Sequence, residues 1–315
     1  MKILITGSKG LVGSEAVYFF KEKGWEVVGV DRNIRSELFG VERSNDEFLD
    51  NITIPIDIRD QVDVESVFKN HKFDVIIHAA AQPSHHWSEK EPLTDFDINA
   101  RGTLILLEAT RKYCPDATFV FCSSDKVYGM NPGKELWDES ISVDQTMHTP
   151  FGCSKMAADL YVQEYGKYFG MNTVCFRGGC ITGKRHKGSN WHGFLANVAR
   201  CGREDDMFPI YGDGNTVRDN IHSYDLVNAF WYFIQNPKKG EVYNIGGGSD
   251  RSVSVLGAID LVNKELGKKM KVEYKEEHRA DRRWDVHDIS KFRKDYPDWN
   301  YKYSLNDIIK ELCES

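Results

Sequence analysis

Three evenly spaced glycines, Gly7, Gly10 and Gly13, narrow the possible folds of this chain more than any other feature. They stand between a short apolar run, Lys2–Ile5, and an amphipathic stretch from about Leu11 to Lys23 that Gly24 closes. The pattern is strand, tight turn, helix. Glycine in such a turn lets the backbone approach a pyrophosphate, and the helix N-terminus offers unpaired N–H groups and the positive end of its dipole. Gly7, Gly10, Leu11, Val12 and Gly13 are therefore expected to cradle the diphosphate of a dinucleotide. A second strand, Glu26–Val30, runs into Asp31, 18 residues after Gly13. That is close to the ~20 residues expected for an acid on the adenosine ribose. A carboxylate there accepts from both ribose hydroxyls and repels a 2′-phosphate, which favours NAD over NADP. Arg32 follows it and softens the preference.

The rest of the first half repeats the alternation. Strands are expected at Ile54–Asp57, Asp74–His78, Thr118–Cys122 and Thr173–Phe176, with helices over Val62–Lys69, Ile98–Tyr113 and Lys155–Phe169. Near-continuous apolar strands alternating with helices predict a parallel sheet covered on both faces. The fold class is therefore α/β, a Rossmann-type doubly wound sheet with a smaller, mostly α C-terminal lobe. After Arg177 the pattern loosens, and Gly, Asn, His and Trp become frequent to about residue 193, as in loops around a ligand. A strand over Val242–Ile245 and a helix near Val255–Leu266 come later. The expected division is a cofactor domain of residues 1–178 plus about 214–242, and a substrate lobe of residues 179–213 and 243–315. No flexible tether separates them.

Composition excludes several classes. Of 315 residues, 41% are hydrophobic and 28% charged, which is ordinary for a globular chain. A net charge of −7 speaks against nucleic acid as a partner. No run approaches the ~20 apolar residues of a membrane span, and the start, MKILITGSKG, has no long apolar region of the secretory kind. No membrane partner and a cytoplasmic location are expected. Seven cysteines without a C-x-x-C pair speak against a disulfide scaffold or zinc ribbon. The histidines lack metal-ligand spacing, and no metal is expected.

Further segments point to one family. Asp57-Ile58 looks like an adenine-contacting pair, and His78-Ala79-Ala80-Ala81 resembles an H-x-A-A turn over a cofactor. Asn99-Ala100-Arg101-Gly102-Thr103 resembles N-x-x-G-T at the start of a long helix. Ser123 to Gly129 resembles S-[ST]-x-x-V-Y-G, and Arg218 to His222 resembles R-D-x-I-H. Together they resemble the extended short-chain dehydrogenases/reductases of the nucleotide-sugar epimerase and dehydratase type, over nearly the whole chain. Within that family, Ala80 to His85, Lys126 to Gly129 and Gly152 to Asp159 resemble the CDP-tyvelose (CDP-paratose) 2-epimerase branch. The resemblance implies tightly held NAD as a transient oxidant, a keto-sugar intermediate and no net redox change. It places Gly7, Gly10, Leu11, Val12, Gly13, Asp31, Arg32, Asp57, Ile58, Ala79, Ala80, Ala81, Asn99 and Lys155 at the cofactor.

In such enzymes a tyrosine four residues before a lysine deprotonates the sugar hydroxyl, and a Ser or Thr completes the triad. Ser124 and Lys155 fill two of these places, but Phe151 holds the third. A phenylalanine keeps the ring and has no proton to exchange, where a positioned acid/base contributes ~10²–10⁴-fold. Three readings stay open: a subfamily using another group, an engineered Tyr→Phe change, or a non-catalytic protein that binds NAD and nucleotide sugar. Under the first, Cys180, Cys122, Asp125, His78, His85 and Lys155 itself are candidates. Family dehydratases carry an Asp-Glu pair where this chain has Asp125-Lys126, which disfavours dehydration and leaves 4-epimerisation as another alternative.

For the substrate, a nucleotide-diphosphate sugar with CDP or UDP, the resemblance implies Ser84, His85, Lys126, Cys180, Asn190, Arg218 and Arg282. Arg218 suits phosphate because a guanidinium fork matches its oxygens; a structural ion pair with Asp219 or Asp225 is the bland alternative. In this family the helices near Ile98–Tyr113 and Lys155–Phe169 form a dimer interface, so a homodimer is expected.

Overall fold

The computed structural model describes residues 1–32, 46–130, 136–144, 147–186, 188, 193–276 and 282–314. They fall into two compact units, each made of several chain segments. The first holds Met1–Val127, His148–Arg177 and Val227–Tyr243; the second holds Tyr128–Met147, Gly178–Leu226 and Asn244–Ser315.

The first unit is built on a seven-stranded sheet. In chain order its strands are β1 (Lys2–Thr6), β2 (Glu26–Val30), β3 (Thr53–Ile54), β4 (Val75–His78), β5 (Thr118–Cys122), β6 (Asn172–Gly178) and a late strand, Glu241–Ile245. Across the sheet they run β3, β2, β1, β4, β5, β6 and then the late strand. The pairs from β3 to β6 are parallel. This is the doubly wound order, which reverses direction between β1 and β4 and opens a crevice at the carboxyl ends of those strands. β4 is buried at every position, and β5 at all but its last, as strands covered on both faces must be. The expected Rossmann sheet is present. The third strand is shorter than the apolar run suggests, because Ile56 N turns back to Ile54 O.

Helices Leu11–Glu22, Gln61–Asn70, Gly102–Tyr113 and Pro150–Lys167 cover the sheet. Leu106, Leu107, Val162 and Tyr165 from two of them enter the main core with Ile76, Phe119 and Cys175. A second aromatic cluster joins Phe19, Phe20 and Trp25 to Trp231 of the helix Ser223–Gln235. The stretch expected as one helix over Ile98–Tyr113 begins instead with a wide π-turn, Asp97–Arg101, before the α-helix. The helix expected from Lys155 starts earlier, at Pro150. Thr149 caps it through Gly152 N, and proline suits the first helical position.

The second unit has two small sheets. In one, the strand Val217–His222 pairs with Cys180–Thr182, Ser252–Ser254 and Trp284–Asp285. In the other, Met207–Tyr211 lies parallel to Lys271–Lys275. Helices Phe194–Glu204, Val255–Leu266 and Leu305–Glu314 enclose its core around Val198, Val262 and Ile308. No helix is long and apolar enough to cross a membrane among the described residues.

Candidate active site

The glycine turn follows β1, and its geometry explains each glycine separately. Gly7 has φ +67°, and a Cβ there would lie 2.7 Å from Ala80 N, so the turn after β1 and the one after β4 touch through backbone. A Cβ on Gly13 would fall 1.9 Å from Gly7 O. At Gly10 a Cβ would meet only Gly7 O, at 3.2 Å, so the space above the helix end is otherwise open. Gly10 is the N-cap, with no side-chain cap and no acidic residue in the first turn, where Leu11 and Val12 lie. Unfilled space over uncapped N–H groups fits a dinucleotide diphosphate.

Asp31 lies just past β2, and its carboxylate accepts from Lys9 N at 3.0 Å, which orients it at the mouth of that turn. Arg32 turns to Asp57, at 2.6 Å, and Arg59 grips the same carboxylate through Nε and Nη2. Burial works to raise Asp57, but the hydrogen bonds from Arg59 and Arg32 outweigh it and hold the group well below the usual carboxylate range. Ile58 beside it is buried.

At the end of β4, Thr6 and Thr103 hold His78. The Thr6 hydroxyl lies 2.7 Å from Nδ1 and the Thr103 hydroxyl 2.9 Å from Nε2. Thr103 donates its own proton to Asn99 O, so it accepts from Nε2–H, which assigns the neutral tautomer. Burial, reinforced by the Lys155 charge, pushes His78 down to about 3. It is a structural pin. Asn99, in the π-turn, trades hydrogen bonds with the backbone of Gln82 and donates to Asp95 and Ser154. Asp95 Oδ1 accepts 2.6 Å from Gln82 Nε2, while Oδ2 has no hydrogen bond among the described residues. Burial raises the Asp95 pKa. This network anchors the loop of Ala79, Ala80 and Ala81, and the sequence reading missed Asp95, Ser154 and the use of Gln82. The quoted Ala80-Ala81-Gln82 run was the available signal, since an amide beside a buried strand end needs partners.

Lys155 is buried and donates to Cys122 O at 2.7 Å, at the end of β5. Burial pushes it down to about 8. Desolvation likewise pushes the Cys122 thiol up to about 12, so it stays protonated at neutral pH. Two residues on, Ser124 donates to Asp125 Oδ1 at 3.1 Å and accepts from Lys126 N. Lys126 Nζ pairs with Asp125 Oδ2 at 2.7 Å. Phe151 stands one helical turn before Lys155 and is buried. The His85 ring packs edge-on against it, with centroids 4.7 Å apart. His85 and Ser84 begin a short helix, His85–Lys90, capped by Ser84.

In the second unit, Cys180 opens the strand that pairs with Val217–His222. Arg218 does not pair with Asp219 or Asp225. Asp219 holds His287 and Gly248 N, and Asp225 caps Lys302 N and Tyr303 N. Arg218 lies 3.8 Å from Asp285, which also faces Arg282 at 3.4 Å. Arg282 covers the Trp137 ring. Two guanidinium groups share one carboxylate. Asn190 lies outside the described residues.

The comparisons match this architecture. A family model described as the NAD dependent epimerase/dehydratase family matches residues 3–246. CDP-paratose 2-epimerase of Salmonella typhi is 31% identical over all of this chain and 98% of its own. The solved UDP-glucose 4-epimerase of Thermotoga maritima, with UDP-glucose, superposes with TM-score 0.88 at 28% identity, covering 100% of this chain and 98% of its own. That of Thermus thermophilus, in complex with NAD, gives 0.86 at 25% identity over 100% and 98%. The chain belongs to the NAD dependent epimerase/dehydratase family, and its cofactor is NAD.

Proposed function

We propose that this protein is an NAD-dependent nucleotide-sugar epimerase acting through a transient keto-sugar, of the CDP-tyvelose 2-epimerase kind. The observation that carries the reading is the full-length likeness to CDP-paratose 2-epimerase, joined to a site that keeps Ser124 and Lys155. Lys126 in place of a glutamate argues for epimerisation over dehydration. Bound NAD supplies a two-electron sink beside the sugar carbon. Gly7, Gly10, Leu11, Val12 and Gly13 take its diphosphate on the helix N-terminus, and Asp31 takes the adenosine ribose. Asp57, Ile58 and Ala79 to Ala81 line its path, with Asn99 fixing the loop. Lys155 binds the nicotinamide ribose and holds positive charge near the reacting hydroxyl. Ser124, tied to Asp125, offers a hydroxyl to the sugar oxygen. Ser84, His85, Lys126 and Cys180 are substrate-side groups, with Asn190 from the sequence reading. Arg218 and Arg282, whose guanidinium groups both lie within 4 Å of Asp285, are the cations proposed to take the diphosphate.

The test is incubation of the purified protein with NAD and a panel of CDP-, UDP- and dTDP-hexoses, read by NMR of the sugar ring. Conversion of one sugar to its 2-epimer is the expected result. A change at another carbon, or loss of water, sinks the 2-epimerase assignment. Tight NAD binding with no turnover of any sugar favours the non-catalytic reading that Phe151 keeps open.

The proposed molecule is a cytoplasmic homodimer. The helices Gly102–Tyr113 and Pro150–Lys167 lie side by side through Tyr165 Oη to Glu108 and Arg111 over Phe169. Leu160 and Tyr161 remain exposed on the second helix.

A further inference from the structure

The side chains behind the loop Ala79–Ser84 are polar and yet hidden from water: Gln82, Ser84, Asp95, Asn99 and Ser154 are each at most 2% exposed. Two of their amides clamp the end of that loop. Asn99 Oδ1 accepts from Gln82 N at 3.0 Å, and Asn99 Nδ2 donates to Gln82 O at 3.1 Å. The Gln82 side chain does the same for Ser84, accepting from its N–H through Oε1 and donating to its carbonyl at 2.9 Å through Nε2. Both amides then turn their NH2 groups to one oxygen, Asp95 Oδ1, at 2.6 Å from Gln82 and 3.1 Å from Asn99. We propose that Asp95 is a positioning residue for the NAD site: its Oδ1 sets which way both amides face, and through them holds the loop Ala79–Ser84 against the glycine turn. The inference deepens the placement of NAD proposed above and rests on it.

An amide side chain has an oxygen at one end and an NH2 group at the other, so turning it over exchanges acceptor for donor in the same space. A reversed Gln82 or Asn99 would set its oxygen against Asp95 Oδ1, two acceptors with no proton between them. It would also turn an NH2 group on the buried N–H of Ser84 or Gln82, and a buried donor without an acceptor bears its full desolvation cost. The clamp therefore has one arrangement. Short steps carry it to the cofactor side. Ala79 N donates to Thr6 O and Ala80 N to Thr6 Oγ1, at 3.2 Å each. A Cβ on Gly7 would lie 2.7 Å from Ala80 N, so loop and glycine turn are in backbone contact and a shift of one displaces the other. In the other direction Asn99 Nδ2 reaches Ser154 Oγ at 3.1 Å. Ser154 donates to Phe151 O at 3.0 Å, at the start of the helix that carries Lys155.

Asp95 serves here as an acceptor. Its Oδ2 makes no hydrogen bond among the described residues, so the hold on both amides comes from Oδ1. Asparagine keeps that oxygen and puts an NH2 group in the place of Oδ2. Alanine removes the acceptor and leaves two buried NH2 groups each short of a partner.

Calorimetry with NAD and amide hydrogen exchange on the full chain test this. D95N is expected to bind NAD within about threefold of wild type, and D95A at least about tenfold more weakly. Q82M, which opens the clamp on Ser84, should match D95A. The Ser84 amide should exchange at least about tenfold faster in D95A than in D95N, relative to the amides of β4 and β5 in the same protein. A loss of global stability speeds all these amides together, so the ratio separates positioning from folding. D95N that does not fold, or that binds NAD as weakly as D95A, overturns the acceptor role. D95A with the NAD affinity of wild type, or a Ser84 amide that exchanges alike in D95A and D95N, overturns the inference. Where D95A does not fold, Q82M with wild-type affinity overturns it. Gly10→Ala with wild-type affinity overturns the placement of the NAD diphosphate instead, and the Ser84 amide still decides Asp95.

Discussion

A lysine ammonium buried without a carboxylate in contact is expensive, and Lys155 is in that position. Its amino group rests on a carbonyl, Cys122 O, and over the Phe121 ring at 4.3 Å, so a dipole and a π-face, with the more distant charges of Asp159 and Asp95, only partly offset its lost hydration. Burial lowers its pKa from 10.5 to about 8. The sign follows directly. Between those values the unfolded chain binds the proton and the folded one does not, so stability rises with pH across that window. Below about pH 8 the cost of the buried charge is fully present. Lys155→Met should therefore stabilise the protein at pH 7, by up to roughly 3 kcal/mol, and the gain should vanish near pH 10.5. Urea unfolding of both proteins at pH 7 and near pH 10.5 checks this, and an equal difference at both values contradicts it. The same variant should lose epimerase activity by at least about 10². A kept lysine that destabilises its own fold is understandable only if a ligand uses it.

Elements make a different kind of prediction, because a glycine can serve the chain or serve a ligand. At Gly13 a Cβ would overlap Gly7 O, so Gly13→Ala should cost about 2 kcal/mol or more in stability as well as NAD binding. At Gly10 the Cβ meets one backbone atom, Gly7 O at 3.2 Å, a milder crowding than at Gly13, so Gly10→Ala should cost less stability than Gly13→Ala yet weaken NAD by at least about tenfold. Calorimetry for the cofactor and thermal melts for the fold separate the two, and equal effects at both positions would refute the distinction. A buried pair gives a third case. Asp159 holds Arg177 through two hydrogen bonds and accepts from Ser123, tying the Pro150–Lys167 helix to β6. Burial would raise Asp159, but Arg177 holds it below the usual range. Asp159→Asn should cost about 3–5 kcal/mol, since it takes a carboxylate countercharge away from a buried guanidinium.

The sheet and its glycine turn were legible in the sequence because local rules govern them. A strand covered on both faces must be apolar throughout, and a turn over phosphate must be glycine. Ser124, Lys155 and Phe151 were singled out through the family resemblance. What escaped was set by tertiary contact. Nothing local announces that Asp95 lies under Gln82, that Thr149 reaches His85, or that Arg218 turns to Asp285 and away from its neighbour Asp219. The strand Val217–His222 and its partners escaped because they are short and largely polar, paired through register and not through an apolar run.

At the scale of the whole molecule, the apolar side chains that remain outside are the informative ones. Leu160 and Tyr161 face solvent on a helix whose opposite face is core. Neighbours on one helix, they are where the proposed second copy would sit. Light scattering at micromolar concentration should give twice the chain mass, and Leu160→Glu with Tyr161→Glu should give a single chain mass with unchanged circular dichroism. A wild type that runs as a monomer removes the proposed interface.

The wide turn Asp97–Arg101 carries one residue more than an ordinary helix would need. Deleting Ala100 or Arg101 would let the helix close normally and swing Asn99 by about 100° relative to everything after it. Descendants of this chain can therefore drift through substitution across that stretch, but a length change there is a one-way door, and its residue count should be inherited more faithfully than its letters.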